Sequence, residues 1–200
     1  MKSNVCKIEK GTKDLGAILK ECEKVAAYNE LTHKQALQLR LICEEMDGML
    51  PNVIDNFGGD FWIDFEDGLC KVNASIKFDE FTSVQKEELI SISKNKKNAA
   101  AVGITGKIRS AVEDFFLDEE AFQVYNIPHS ETFSAIKTGI DGMDYTSYWS
   151  LEQYKNTIDK KEKKEAWDEL EKSVIASLAD DVIVGVKGKK ADIVVIKKFA

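Results

Sequence analysis

Histidine is scarce in this chain of 200 residues: His33 falls in the first turn of an expected helix and His129 in a loop after Pro128. No Ser/His/Asp set can be assembled from them, so nucleophilic hydrolase chemistry is not expected. The four cysteines, Cys6, Cys22, Cys43 and Cys70, are scattered, with no CxxC-type pair to start a tetrahedral zinc site. Three of them fall in apolar phases of predicted elements, so they read as reduced, small hydrophobic residues, and neither a disulfide nor zinc is expected. The formal net charge is −7, and no Lys/Arg cluster stands free of acids; even residues 160–164 are interleaved with carboxylates. The basic stripe that nucleic-acid binding requires is missing. No apolar run reaches the length of a membrane span, and the opening MKSNVCKIEK lacks the apolar core of a signal peptide. A cytoplasmic protein without membrane or nucleic-acid partners is therefore expected. There is no internal repeat.

What is present can build a substantial core, since 44% of residues are apolar, and the length suits one domain over residues 1–200. The stretch from Thr32 to Phe78 reads as one long helix followed at once by a β-hairpin. Thr32 with Gln35 is a capping box. Leu37, Leu41, Ile42, Met46, Met49, Leu50, Val53 and Ile54 then recur at helical spacing, and Gly58-Gly59 is expected to end the helix. From Phe61 the period changes to two, and Asp67-Gly68 offers the left-handed residues of a two-residue type I′ turn. That loop length places Glu66 opposite Leu69, and therefore Phe65 opposite Cys70, Ile63 opposite Val72 and Phe61 opposite Ala74, these last three pairs on one apolar face. Asp64 against Lys71 and Trp62 against Asn73 fall on the other face, which suits partial exposure.

Around this unit, Val5 to Lys10 is a strand candidate. Thr12 or Lys13 to about Glu30 is an amphipathic helix, with Leu15, Ile18, Leu19, Cys22, Val25 and Ala26 on one face. Thr82 to Gln85 resembles a second capping box, opening a polar helix to about Lys94, and Asn95 to Asn98 is a loop. Gly103 to Tyr125 carries Ile104, Ile108, Ala111, Val112, Phe115, Phe116 and Phe122 at helical spacing. Between Asn126 and Ser150 no period is visible, and an irregular loop is expected; loops of that length serve as lids or binding loops or are disordered. Its aromatics Tyr145, Tyr148 and Trp149 suit either a recognition surface or a plug onto the core. Ser150 with Gln153 is a third capping box, opening a helix toward Ile158. Another helix is expected from about Lys164 through Trp167 and Leu170 to Leu178. Val182 to Val186 and Ile193 to Ile196 are strands, the latter so rich in β-branched residues that it belongs in the middle of the sheet.

This order of elements resembles the histidine-kinase-like ATPase (GHKL) superfamily, closest to the compact anti-sigma-factor type serine kinases. The likeness rests on LRLICEEMDGMLPNVIDNF, similar to the helix that bears that family's N-box, on the hairpin GDFWIDFEDGLCKVNASI, and on the ending WDELEKSVIASLADDVIVGVKGKKADIVVIKKF. It implies an α/β fold: a two-layer sandwich, a mixed sheet of about five strands with helices on one face, and residues 80–160 as an enlarged, lid-like insertion. It also implies ATP and Mg²⁺ as cofactors and, in an active member, serine/threonine protein kinase activity. Glu44 or Glu45 matches the family's catalytic acid. The Mg²⁺-ligating Asn of the family stands one turn further on, where this sequence has Gly48 and Met49; Asn52, a turn beyond, is the substitute as nucleotide and metal ligand, with Asp47 a further acid nearby. Asp79 stands where an Asp-x-Gly-x-Gly motif holds adenine, but without the glycines. Gly103, Gly106 and Lys107 open a helix and substitute for the glycine-rich phosphate box. The bland alternative makes Glu44, Glu45 and Asp47 the polar side of an amphipathic helix, and Asn52, Asp55 and Asn56 its C-terminal cap and turn. Two functions follow: a divergent ATP-binding regulatory domain that has lost catalysis, or a non-catalytic interaction or assembly module pairing with a protein partner or with itself as a homodimer.

Overall fold

The structure, a computed structural model, describes residues 1–11, 15–54, 57–78, 103–117, 148–157, 173–187 and 190–199. In chain order these form β1 (Cys6–Glu9), α1 (Leu15–Tyr28), α2 (His33–Val53), β2 (Phe57–Glu66), β3 (Leu69–Phe78), α3 (Gly103–Leu117), β4 (Tyr148–Ser150), α4 (Leu151–Thr157), α5 (Val174–Leu178), β5 (Asp181–Lys187) and β6 (Lys190–Lys198). The expected capping box and polar helix over 82–94, the loop at 95–98, Asp55, Asn56 and most of the 126–150 stretch lie outside the described residues, as does Asp79.

The long helix starts where its sequence says. The Gln35 N–H donates to Thr32 Oγ1 at 3.4 Å, and the Thr32 N–H donates to Gln35 Oε1 at 2.9 Å, so each residue satisfies a group the first turn leaves orphaned. It ends earlier than expected. Ile54 is the extended C-cap, donating its N–H to Leu50 O, and Gly58 and Gly59 lie inside β2 instead of stopping the helix. Gly59 sits there because the neighbouring chain is too close for a side chain: a Cβ would meet Ser75 O at 2.2 Å.

Asp67 and Gly68, at φ 48° and 77°, close β2 onto β3. All six pairs read from the turn length are observed, from Glu66 opposite Leu69 to Phe61 opposite Ala74. The sheet order is β1-β2-β3-β6-β5-β4, with β6 central as its composition predicts. Where a mixed sheet of about five strands was expected, the described residues form six, and every described pairing is antiparallel. A hydrophobic pattern carries no strand direction, and three residues are too few to show a period of two, which is why Tyr148–Ser150 was hidden in the apparent loop. The single helix expected from Lys164 to Leu178 is also corrected: Ser173 is extended and N-caps α5, accepting from the Ala176 N–H at 3.3 Å, so a new helix begins there.

Alternation gives the sheet two faces. Phe61, Ile63, Phe65, Cys70, Val72, Ala74, Ile76, Val182, Val184, Ile193 and Val195 form one core cluster with Ile18, Val25, Leu39, Ile42, Met46, Leu50, Ile108, Leu151 and Ile175 from the five described helices. The other face departs from the expected half-exposure. Trp62 and Asp64 are half-buried, but Asn73 is only 1% exposed, and Val194, Ile196 and Ile183 are buried outside the core cluster. Asn73 lies on an internal strand, and its Nδ2 reaches Lys71 O at 3.0 Å and Asp64 Oδ2 at 3.2 Å. Asp64 Oδ2 also accepts from Trp62 Nε1 at 2.8 Å.

The chain's first and last described residues meet at the same hairpin. The Phe65 N–H donates to Met1 O at 2.7 Å, the Phe199 N–H donates to Gly68 O at 2.8 Å, and the Phe199 ring stacks on Phe65 with centroids 6.1 Å apart.

Candidate functional site

The residues singled out in the long helix separate onto two flanks. In a helix of 3.6 residues per turn, Arg40, Glu44 and Asp47 share one side, while Glu45 and Asn52, two turns apart, share the other. The first flank faces α1: Arg40 Nη1 lies 3.8 Å from Glu23 Oε1. The sheet fixes the second. α1 packs on β2 and α3 packs on β5, and α2 touches both helices between them. The flank that carries Glu45 and Asn52 is therefore the one turned away from α1, and α2 touches both α3 and α5.

Glu44 is committed to an ion pair, accepting from Arg40 Nε at 2.9 Å on the α1 flank. To take a proton from a substrate that carboxylate would first have to leave its guanidinium partner. Glu45 is exposed. Asp47 is half-buried, and that burial raises its carboxyl above the usual range. Asn52 is exposed, and its Nδ2 donates back to Gly48 O at 3.3 Å. Pro51, inside the last turn, has no N–H to give the carbonyl of Asp47.

On the opposite side, α3 opens at Gly103, whose φ of +75° is left-handed, and Ile104, Ile108, Ala111 and Val112 bury its apolar face as the spacing predicts. Gly106 is buried, and Lys107 extends its ammonium over the Tyr154 ring of α4, 5.3 Å from the centroid. Trp149, half-buried against the core with its ring 6.0 Å from that of Tyr154, plugs β4 onto the helices instead of offering itself for recognition. Tyr145 and the side chain of Tyr148 are outside the described residues.

The geometry brings the elements bearing Glu45, Asn52, Gly103, Gly106 and Lys107 into contact and sets Glu44 apart from them. Among the described residues no three His, Cys, Asp or Glu side chains converge. Two features of the site were missed in the sequence. The Arg40–Glu44 pair has a readable signal, opposite charges four residues apart on a helix. The Lys107–Tyr154 contact has none, since its partners lie on separate helices. No helix among the described residues is long and apolar enough to cross a membrane.

No protein-family model matches this chain, and neither a curated protein nor a solved structure matches it.

Proposed function

We propose that this chain is a divergent nucleotide-binding regulatory domain, related in plan to the histidine-kinase-like ATPases, that binds ATP without transferring its phosphoryl group. One observation carries the reading: α3, opened by Gly103, packs against α2, the helix that exposes Glu45 and Asn52. A helix N-terminus supplies backbone N–H groups and the positive end of its dipole to an anion, and Lys107 adds a cation one turn in. Loss of catalysis is supported by the pairing of Glu44 with Arg40.

The test is a thermal-shift titration with ATP, ADP and Mg²⁺. A ligand that binds only the folded state stabilises it by about 2.7 kcal/mol at a hundredfold excess over Kd. A saturable rise of several degrees, reduced in Lys107→Ala and Asn52→Ala, is expected. No shift at millimolar nucleotide retires the reading.

The second reading, a protein-interaction module, is favoured by the exposure of Tyr28 (72%) and Leu37 (48%), on α1 and α2. It calls for size measurement by light scattering and for Tyr28→Ser and Leu37→Ser variants, which weaken any dimer found.

A further inference from the structure

Strand β1 stands at one end of the sheet order, and no described residue pairs with its outer edge. The Lys10 N–H donates to Phe57 O at 3.1 Å, and in an antiparallel ladder such bonded positions recur at every second residue. Cys6, Ile8 and Lys10 therefore turn their amides and carbonyls toward β2, while Lys7 and Glu9 turn theirs outward. The side chains alternate as well. Ile8, opposite Gly59, lies in the core cluster. Lys7, opposite Asp60, lies on the other face, where its Nζ meets Asp60 Oδ1 at 2.5 Å, and Glu9 shares that face. Val5, Lys7, Glu9 and Lys10 are all exposed, Lys7 over 83% of its side chain.

We propose that β1 pairs antiparallel with β1 of a second copy of this chain, about a two-fold axis at Ile8, joining two six-stranded sheets into one. The outward groups decide which registers exist. Lys7 and Glu9 must meet Lys7 or Glu9 of the other copy, because only these residues of the strand point their backbone across the gap. An axis at Lys7 sets Lys7 against Lys7, and one at Glu9 sets Glu9 against Glu9, and like charges directly opposite disfavour both. The axis at Ile8 sets Lys7 against Glu9 and Glu9 against Lys7, each pair exchanging both of its N–H···O bonds. On the outer face Lys7 then stands between Asp60 of its own chain and Glu9 of the other, a row of alternating sign.

The ends of the strand limit the contact. Past Lys10 the chain turns at Gly11, left-handed at φ +88°. Before Cys6, the Asn4 N–H is already taken by Glu21 Oε2 of α1 at 3.0 Å. The pairable stretch is short, and the contact smaller than the roughly 1,200–2,000 Å² of a stable complex, so the dimer is weak and depends on concentration. Lys7 makes it selective, since a cation on an edge strand resists any neighbour that brings no acid opposite it. Because the contact uses the same edge on both copies, it closes at two.

The experiment is sedimentation equilibrium of the full chain over a wide dilution range, with amide hydrogen exchange followed at both ends of it. A monomer–dimer equilibrium is expected, in which the Lys7 and Glu9 amides exchange more slowly as the dimer fills. Glu9→Lys and Lys7→Glu each turn both cross-strand pairs into like charges, and each is expected to weaken association about tenfold or more. Mixed in equal amounts, the two variants restore opposite charges in both pairs, and they should associate more tightly than either does alone. Circular dichroism checks their folds; should Lys7→Glu, whose new charge faces Asp60, not fold, Glu9→Lys and the exchange pattern decide the matter. The inference is overturned if the chain stays monomeric up to its solubility limit or assembles beyond a dimer. It is equally overturned if a dimer yields to Tyr28→Ser or Leu37→Ser but not to Glu9→Lys, or if the Lys7 and Glu9 amides exchange at one rate throughout.

Discussion

Glu21 and Asn4 are joined twice: the Asn4 backbone N–H donates to Glu21 Oε2 at 3.0 Å, and Asn4 Nδ2 donates to Oε1 at 3.1 Å. The reason lies in the edge strand. Ser3 pairs with Ile63 and Cys6 with Phe61, which leaves Asn4 and Val5 together opposite Trp62, a bulge whose freed N–H needs an acceptor. α1 supplies it.

Glu21→Gln is expected to destabilise the fold by about 1–2 kcal/mol at neutral pH, the size of a lost charge-assisted hydrogen bond. Lys24, bonded to the carboxyl at 2.6 Å, does most to hold it below its usual value, with help from Asn4 and against burial. A carboxyl whose folded pKa is depressed contributes stability above its unfolded pKa and loses it as pH falls through the folded value. The gap between wild type and Glu21→Gln therefore narrows below about pH 4.5, as urea titrations at several pH values will report.

Gly59→Ala and Gly58→Ala should behave as opposites. A methyl at Gly59 collides with the Ser75 carbonyl, whereas at Gly58 nothing lies within 4 Å. Losses of about 3 kcal/mol and less than about 0.5 kcal/mol are expected in chemical denaturation.

Asp181 accepts from Ser150 Oγ, at 3.1 and 3.0 Å, and from the N–H groups of Glu152 and Val182, at 2.9 and 2.8 Å, tying β4, α4 and β5 to one carboxylate. Asp181→Ala is expected to cost about 2–4 kcal/mol, because those donors are left without an acceptor. Asp181→Asn keeps one oxygen and loses a charge that burial disfavours. Burial raises this carboxyl despite its hydrogen bonds, so its stabilising contribution is complete below the unfolded pKa and is lost as pH rises through the folded one. Wild type should gain on Asp181→Asn as the pH falls from neutral toward about 4.

The hairpin was legible because a two-residue turn leaves one register free of conflict. The long helix was legible in its cap but not wholly in its face: Leu37, expected inside, is exposed, and Leu39 is fully buried. Both choices leave an apolar stripe, and only the packed neighbours distinguish them. Leu39→Ala should lose about 2–5 kcal/mol on thermal or urea unfolding, while Leu37→Ala stays within about 0.5 kcal/mol of wild type. The site was less legible than the fold. Spacing put Glu45 and Asn52 on one side, yet that α3 packs against their helix is a long-range fact no local pattern encodes. The Asn4–Glu21 tie was hidden for the same reason, since a bulge on an edge strand leaves no mark in a period of two.

The central position of β6 has a consequence for synthesis. It is the last in chain order of the six described strands, and among them it alone joins β3 to β5. Until it arrives, β1, β2 and β3 on one side and β4 and β5 on the other are separate ribbons, each with an unpaired rim of backbone amides and carbonyls turned toward the gap. The sheet is thus completed only by insertion of one late, β-branched segment between two waiting edges. That interval, more than any weakness of the finished core, is when the polypeptide is open to pairing with the wrong chain.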